Sequence, residues 1–150
     1  MPTNAAHLRT GAAGEDAAVA FLRNLGWRIV ERNWRPQGVN AGFELDIVAR
    51  EDDSIVFVEV KTRRCGAAAG RAFAAGGIPV HAAFTRRKQE RFLRAARLYL
   101  AQKRLWHLPC RFDYIGIELA ENGRHLVEHQ RHVIEAGNFV DSCHTSWQPW

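Results

Sequence analysis

At 150 residues and 47% hydrophobic, the chain suits a single domain that can close its core without a metal or a disulfide. A formal net charge of +5, carried by arginine far more than lysine, favours a polyanionic partner and multidentate phosphate recognition. Cys65, Cys110 and Cys143 are far apart and form no Cys-x-x-Cys pair, which argues against a disulfide scaffold. Met1–Thr10 has no apolar h-region, and no apolar run approaches a membrane span. The expectation is a cytoplasmic protein with reduced thiols and no membrane partner.

Residues 1–10 read as a flexible arm. From about Gly14 to Leu25 the residues Ala17, Ala18, Phe21, Leu22 and Leu25 recur at helical spacing, and Gly26 is suited to end the helix. Trp27 to Trp34 alternates as a first strand, and Pro36, Gly38 and Gly42 mark a loop. Two apolar, β-branched runs follow, Leu45–Ala49 and Ile55–Thr62, split by five polar residues, Arg50 to Ser54. They predict adjacent strands joined by a hairpin. Residues 63–81 are rich in Gly and Ala and weakly patterned, as in a long functional or disordered loop. Thr85 is a good N-cap for a helix to about Arg104, with Phe92, Leu93, Ala96, Tyr99 and Leu100 on its core face. Cys110–Glu118 alternates as a strand, Glu121-Asn122-Gly123 turns, and Leu126–Ile134 pairs back. The order α-β-β-β-α-β-β predicts an α/β fold with one mixed sheet flanked by helices.

The chemistry lies in the polar residues that interrupt the hairpin. Asp46 sits inside the first apolar run, and Glu59 and Lys61 share one side of the second. Carboxylates at the ends of buried strands are costly to desolvate. Asp46 and Glu59, with the Val60 carbonyl and waters, would make an octahedral site for Mg²⁺ or Mn²⁺. Lys61 could then orient a water and stabilise developing oxyanion charge. A structural ion-pair cluster at a strand end is the plain alternative.

The spacing of Asp46 and Glu59-Val60-Lys61 resembles the D…(D/E)-x-K signature of PD-(D/E)XK nucleases. Gly14-Glu15-Asp16, Phe43-Glu44-Leu45-Asp46, Phe57-Val58-Glu59-Val60-Lys61, Thr85-Arg86-Arg87-Lys88-Gln89 and Arg111-Phe112-Asp113 occur in the order of the YraN-like family. That bacterial family is similar to archaeal Holliday-junction resolvases, and the likeness spans roughly residues 12–135. The resemblance implies a restriction-endonuclease-like domain over 11–139, with 140–150 an irregular tail. It implies catalytic roles for Glu15, Asp46, Glu59 and Lys61, with Glu15 as a further metal ligand, directly or through water. It also implies a DNA substrate, branched or flapped, and a two-fold homodimer that cuts two strands. Phe43 stands where the family commonly has Gly, which bears on loop geometry rather than on the ligands.

Arg63 and Arg64 follow the motif strand, and Arg87, Arg91 and Arg94 share one face of the second helix. These are candidate phosphate contacts, as are Lys88 and Gln89 by the family's pattern. A solvated basic face is the alternative. His125, His129 and His132 lack regular metal spacing and read as solvent-facing. Asp113 reads as an arginine's partner in the sheet with no catalytic role. Trp147 and Trp150 could anchor a partner or pack on the domain.

Overall fold

The runs on either side of Asp52 and Asp53 pair as their alternation predicts. Strands β2 (Leu45–Glu51) and β3 (Ser54–Cys65) are antiparallel, with Glu51 opposite Ser54 and Ile47 opposite Val58. The turn is Asp52-Asp53 alone, tighter than the polar run suggests, and Asp52 takes φ 50°, a left-handed value that Asp tolerates. The computed structural model describes residues 4–38, 42–65 and 84–134.

Strand β1 (Arg28–Trp34) is antiparallel to β2. Strand β4 (Cys110–Ala120) runs parallel to β3, and β5 (His125–Gln130) returns antiparallel to β4. The mixed sheet has the order β1-β2-β3-β4-β5. With helices α1 (Asn4–Asn24) and α2 (Arg86–Lys103), the described elements follow the expected α-β-β-β-α-β-β order.

Each helix covers one face. Helix α2 buries Phe92, Leu93, Ala96, Tyr99 and Leu100 among Val48, Ile55, Phe57, Phe112 and Tyr114. Helix α1 buries Ala17, Ala18, Val19 and Leu22 among Ile47, Val56, Val58, Ile115 and Ile117. Burying an aliphatic or Phe side chain stabilises by about 1.5–3 kcal/mol, so the two layers hold the sheet rigid between them. Both helices end as their sequences require. Gly26 takes φ 84° while the Trp27 N–H donates to the Leu22 carbonyl at 3.1 Å, a Schellman closure. Thr85 Oγ1 accepts from the Lys88 N–H and caps α2.

Three boundaries differ from the sequence reading. Helix α1 begins at Asn4, well before Gly14, so residues 4–10 are helix rather than a flexible arm. Thr10 Oγ1 accepts from Arg64 Nε at 2.7 Å and ties that turn to β3. Leu25 lies beyond the last helical turn and is exposed. Strand β5 stops at Gln130, where His132 takes φ 55°, and the chain is carried on by the Val133 N–H donating to the Phe112 carbonyl. Residues 66–81, Cys143 and the 140–150 tail with Trp147 and Trp150 lie outside the described residues.

One packing contact fixes where α1 sits. A Cβ on Gly14 would lie 1.8 Å from Thr62 Oγ1 and 2.7 Å from Thr62 Cβ. The helix therefore touches β3 through a residue with no side chain, and its neighbour Glu15 is carried to the sheet. Gly14→Ala is expected to destabilise the protein by about 1–3 kcal/mol. Thr62→Ala should recover part of that loss in the double variant. Urea unfolding of the three variants checks this; an unchanged midpoint for Gly14→Ala would mean that α1 slides away freely.

Candidate functional site

The β2–β3 ladder ends at Ile47 and Val58, and the next pair is Asp46 and Glu59. There the Val60 N–H donates to Asp46 Oδ2 at 2.8 Å, so a carboxylate takes the place of a ladder carbonyl. The two strands part at this point. Alternation places Asp46 and Glu59 on the α2 side, together with Lys61. The gap is a cleft of about 250 Å³ lined by Gly42, Phe43, Glu44, Asp46, Glu59, Lys88, Arg91 and Phe92.

Two acids facing one half-buried cleft disfavour each other's charge. Burial raises the Asp46 carboxyl to about 6 against the relief of the Val60 hydrogen bond, with Glu15 and Glu44 adding repulsion. Glu59 rises to about 8, chiefly through burial and then through Asp46, while Lys88 and Lys61 pull it back. Shifts of this size in a cleft mark a functional-site candidate.

Of the residues singled out in the sequence, Asp46, Glu59 and Lys88 meet in the cleft, joined by Arg91, whose guanidinium donates to the Gly42 carbonyl at 2.7 Å. Lys61 is exposed, does not line the cleft, and acts on both carboxylates electrostatically. Glu15 acts on Asp46 electrostatically, and its Oε2 accepts from Asn33 Nδ2 at 2.9 Å. Phe43 fits its place: Gly42 beside it takes φ 61°, and Phe43 packs on the α2 core beneath the Arg94 guanidinium, 5.5 Å away.

Other candidates lie elsewhere. Arg64 falls on the α1 side, bonded to Thr10, because it alternates with Arg63. Gln89 Nε2 donates to the Phe84 carbonyl and so braces the start of α2. Arg87 is exposed on the first turn of α2 and does not line the cleft. Glu44, which shares the cleft, pairs with Arg35 at 3.0 Å.

The opposite face carries a separate network. Asp113 is 0% exposed and accepts from Arg111 Nε at 2.8 Å, His129 Nε2 at 2.8 Å and the His132 N–H at 3.1 Å. The expected arginine partner is thus Arg111. His129, however, is not solvent-facing: the β4–β5 register sets it opposite Ile115, against Phe21 and Trp27. His125 and His132 are exposed as expected.

Among the described residues no three His, Cys, Asp or Glu side chains gather at metal-binding spacing. The carboxylates at the cleft are Asp46 and Glu59, with Glu44 paired to Arg35. That fits a hard divalent ion such as Mg²⁺, which keeps several waters and takes one or two protein carboxylates. It does not fit a dehydrated zinc cage.

This is an α/β protein with a paired-carboxylate cleft where two inner strands of its sheet part. Residues 14–117 match the model of the uncharacterised protein family UPF0102. The chain is 39% identical to a UPF0102 protein of Lawsonia intracellularis, over 93% of this chain and 96% of that one. It is 39% identical to one of Nitratidesulfovibrio vulgaris strain DP4, over 94% and 95%, and 44% identical to one of Symbiobacterium thermophilum, over 77% and 87%. The chain belongs to UPF0102, the YraN-like family. No described helix is long and apolar enough to cross a membrane.

Proposed function

We propose that the chain is a metal-dependent DNA endonuclease of the resolvase type, hydrolysing the phosphodiester backbone of branched or flapped DNA. The observation that carries this reading is the Asp46–Glu59 pair facing one cleft whose wall is Lys88 and Arg91. A bound Mg²⁺ or Mn²⁺ would supply charge at the phosphate and make water a better nucleophile. Asp46 and Glu59 would hold that ion, and the phosphate would sit against the cations of α2. Lys61, on the strand face of Glu59, would steady the attacking water and the charge that grows on phosphorus-bound oxygen. Water oxygen bonds to phosphorus, one P–O ester bond breaks, and the leaving oxygen takes a proton. Cutting two strands symmetrically would need a two-fold pair of chains.

The test is a cleavage screen over junction, flap, single-strand and duplex DNA, with Mg²⁺ and Mn²⁺ compared. Metal-dependent cleavage that prefers branched or flapped DNA supports the reading. A second reading, a nucleic-acid-binding module without cleavage, is favoured by the lack of a three-acid cluster among the described residues. Binding with no cleavage in any metal selects it.

Both readings place phosphate on α2. Lys88→Glu with Arg91→Glu is expected to weaken DNA binding for all sequences alike. It should also flatten the slope of log K against log salt by about 0.9 per lost contact on duplex. An unchanged affinity and slope would make α2 a solvated face.

A further inference from the structure

We propose that Asn33 is the positioning residue that ties Glu15 to the Asp46 end of the sheet, so that the end of β1, and not α1 alone, sets where this carboxylate stands as an outer partner of the Asp46–Glu59 centre. This rests on the metal-centre reading above and deepens it.

Three independent observations meet at Asn33. It takes φ 49°, left-handed, inside a strand. Asn enters this region more readily than other side chains, yet within a strand the conformation breaks the regular alternation. Its place in the register is the second observation. Arg32 lies opposite Ile47 and Trp34 opposite Leu45, which sets Asn33 opposite Asp46. The third is the bond itself: Asn33 Nδ2 donates to Glu15 Oε2 at 2.9 Å. In an unkinked strand residue 33 would present its side chain on the Asp46 face; the left-handed backbone re-aims it to Glu15.

The charges nearby leave Glu15 available. Arg32 NH2 is 3.8 Å from Glu15 Oε2 but 2.7 Å from Asp16 Oδ1, so its main partner is Asp16. An amide donor orients a carboxylate without neutralising it, unlike a close guanidinium. Held by Asn33, Glu15 acts on Asp46 electrostatically. A flexible glutamate on a helix would otherwise lose this aim to side-chain rotation. Outer partners of this kind commonly govern metal affinity by roughly 10–100-fold.

The test is Mn²⁺ titration of wild type, Asn33→Gly, Glu15→Gln and the double variant, by calorimetry, with thermal unfolding of each metal-free protein. Glycine adopts the left-handed backbone without strain and removes the side chain that carries the donor. Asn33→Gly is expected to weaken Mn²⁺ binding about tenfold or more. In the Glu15→Gln background the same change should add nothing, since Asn33 acts through Glu15. Unaltered Mn²⁺ affinity in a folded Asn33→Gly, whatever its melting temperature, would show a merely structural bond and overturn the role of Asn33. Losses that add in the double variant would overturn it equally. Both leave the metal centre standing. Absence of Mn²⁺ binding to wild type would instead sink the centre and this inference with it.

Discussion

Glu59→Gln is expected to lower Mg²⁺ and Mn²⁺ affinity by more than the roughly 10–100-fold that loss of an outer partner costs. It should also make the metal-free protein more stable above neutral pH. The two effects have one cause. Asp46 and Glu59 share a half-buried cleft, and burial with mutual repulsion raises them to about 6 and about 8. The folded protein therefore holds protons that the unfolded chain has released. The stability so gained is full below the unfolded carboxylate range, and is lost as pH rises through about 6 and then about 8. A glutamine cannot titrate, so Glu59→Gln flattens that decline, and Asp46→Asn removes its lower part. An ion competes with the same protons, so metal affinity should climb across the same window. Melting temperatures from about pH 5 to about pH 9, with and without Mn²⁺, read both trends. A metal-free wild type whose melting point is flat over that range would mean that the pair is not desolvated. Lys61→Ala separates chemistry from binding: Mn²⁺ affinity should be nearly unchanged while cleavage slows by about 10²-fold or more.

Much of this was legible in the sequence because the sheet is written in a period of two. Polar residues that break an apolar run stand out, and Asp46, Glu59 and Lys61 were found that way. The same alternation separates the candidate arginines. Positions 59, 61 and 63 share one side of β3, and 64 does not, so Arg64 reaches Thr10 on the α1 side. Helix α1 reaches back to Asn4 through Ala5-Ala6 and Ala12-Ala13, where good helix formers give no strong amphipathic signal. Asn33 was invisible for another reason. A left-handed φ in a strand has no side-chain pattern, and its meaning depends on Asp46 lying opposite. Gly14 stands in the motif Gly14-Glu15-Asp16, and the 1.8 Å approach of a Cβ there to Thr62 Oγ1 gives the physical reason for a glycine. His129 needed the β4–β5 register, since nothing local tells a strand histidine which face it will take.

Asp113→Leu is expected to destabilise the fold by about 3–5 kcal/mol while leaving Mn²⁺ affinity unaltered. Asp113 is 0% exposed and holds Arg111, His129 and the His132 N–H at once. Removing it leaves a largely buried guanidinium whose carboxylate partner among the described residues is Glu51, 2.5 Å away and shared with Arg131. It also releases His129 from the aromatic pocket of Phe21 and Trp27, and with it the register of β5. The pH dependence has the opposite sign to that of the cleft. Burial alone would raise Asp113, but the hydrogen bonds from His129, Arg111 and the His132 backbone outweigh it and hold the carboxyl below its ordinary range. Its contribution is therefore present above the unfolded carboxylate value and is lost as pH falls through the lower folded one. Wild type should lose stability in acid from this network and in mild alkali from the cleft, with a maximum between. In Asp113→Leu the acid limb should shrink while the alkaline limb remains; in Glu59→Gln the reverse should hold. Urea midpoints across pH for the two variants measure this. An acid limb that persists in full without Asp113 would place its origin in other carboxylates and reduce the network to packing.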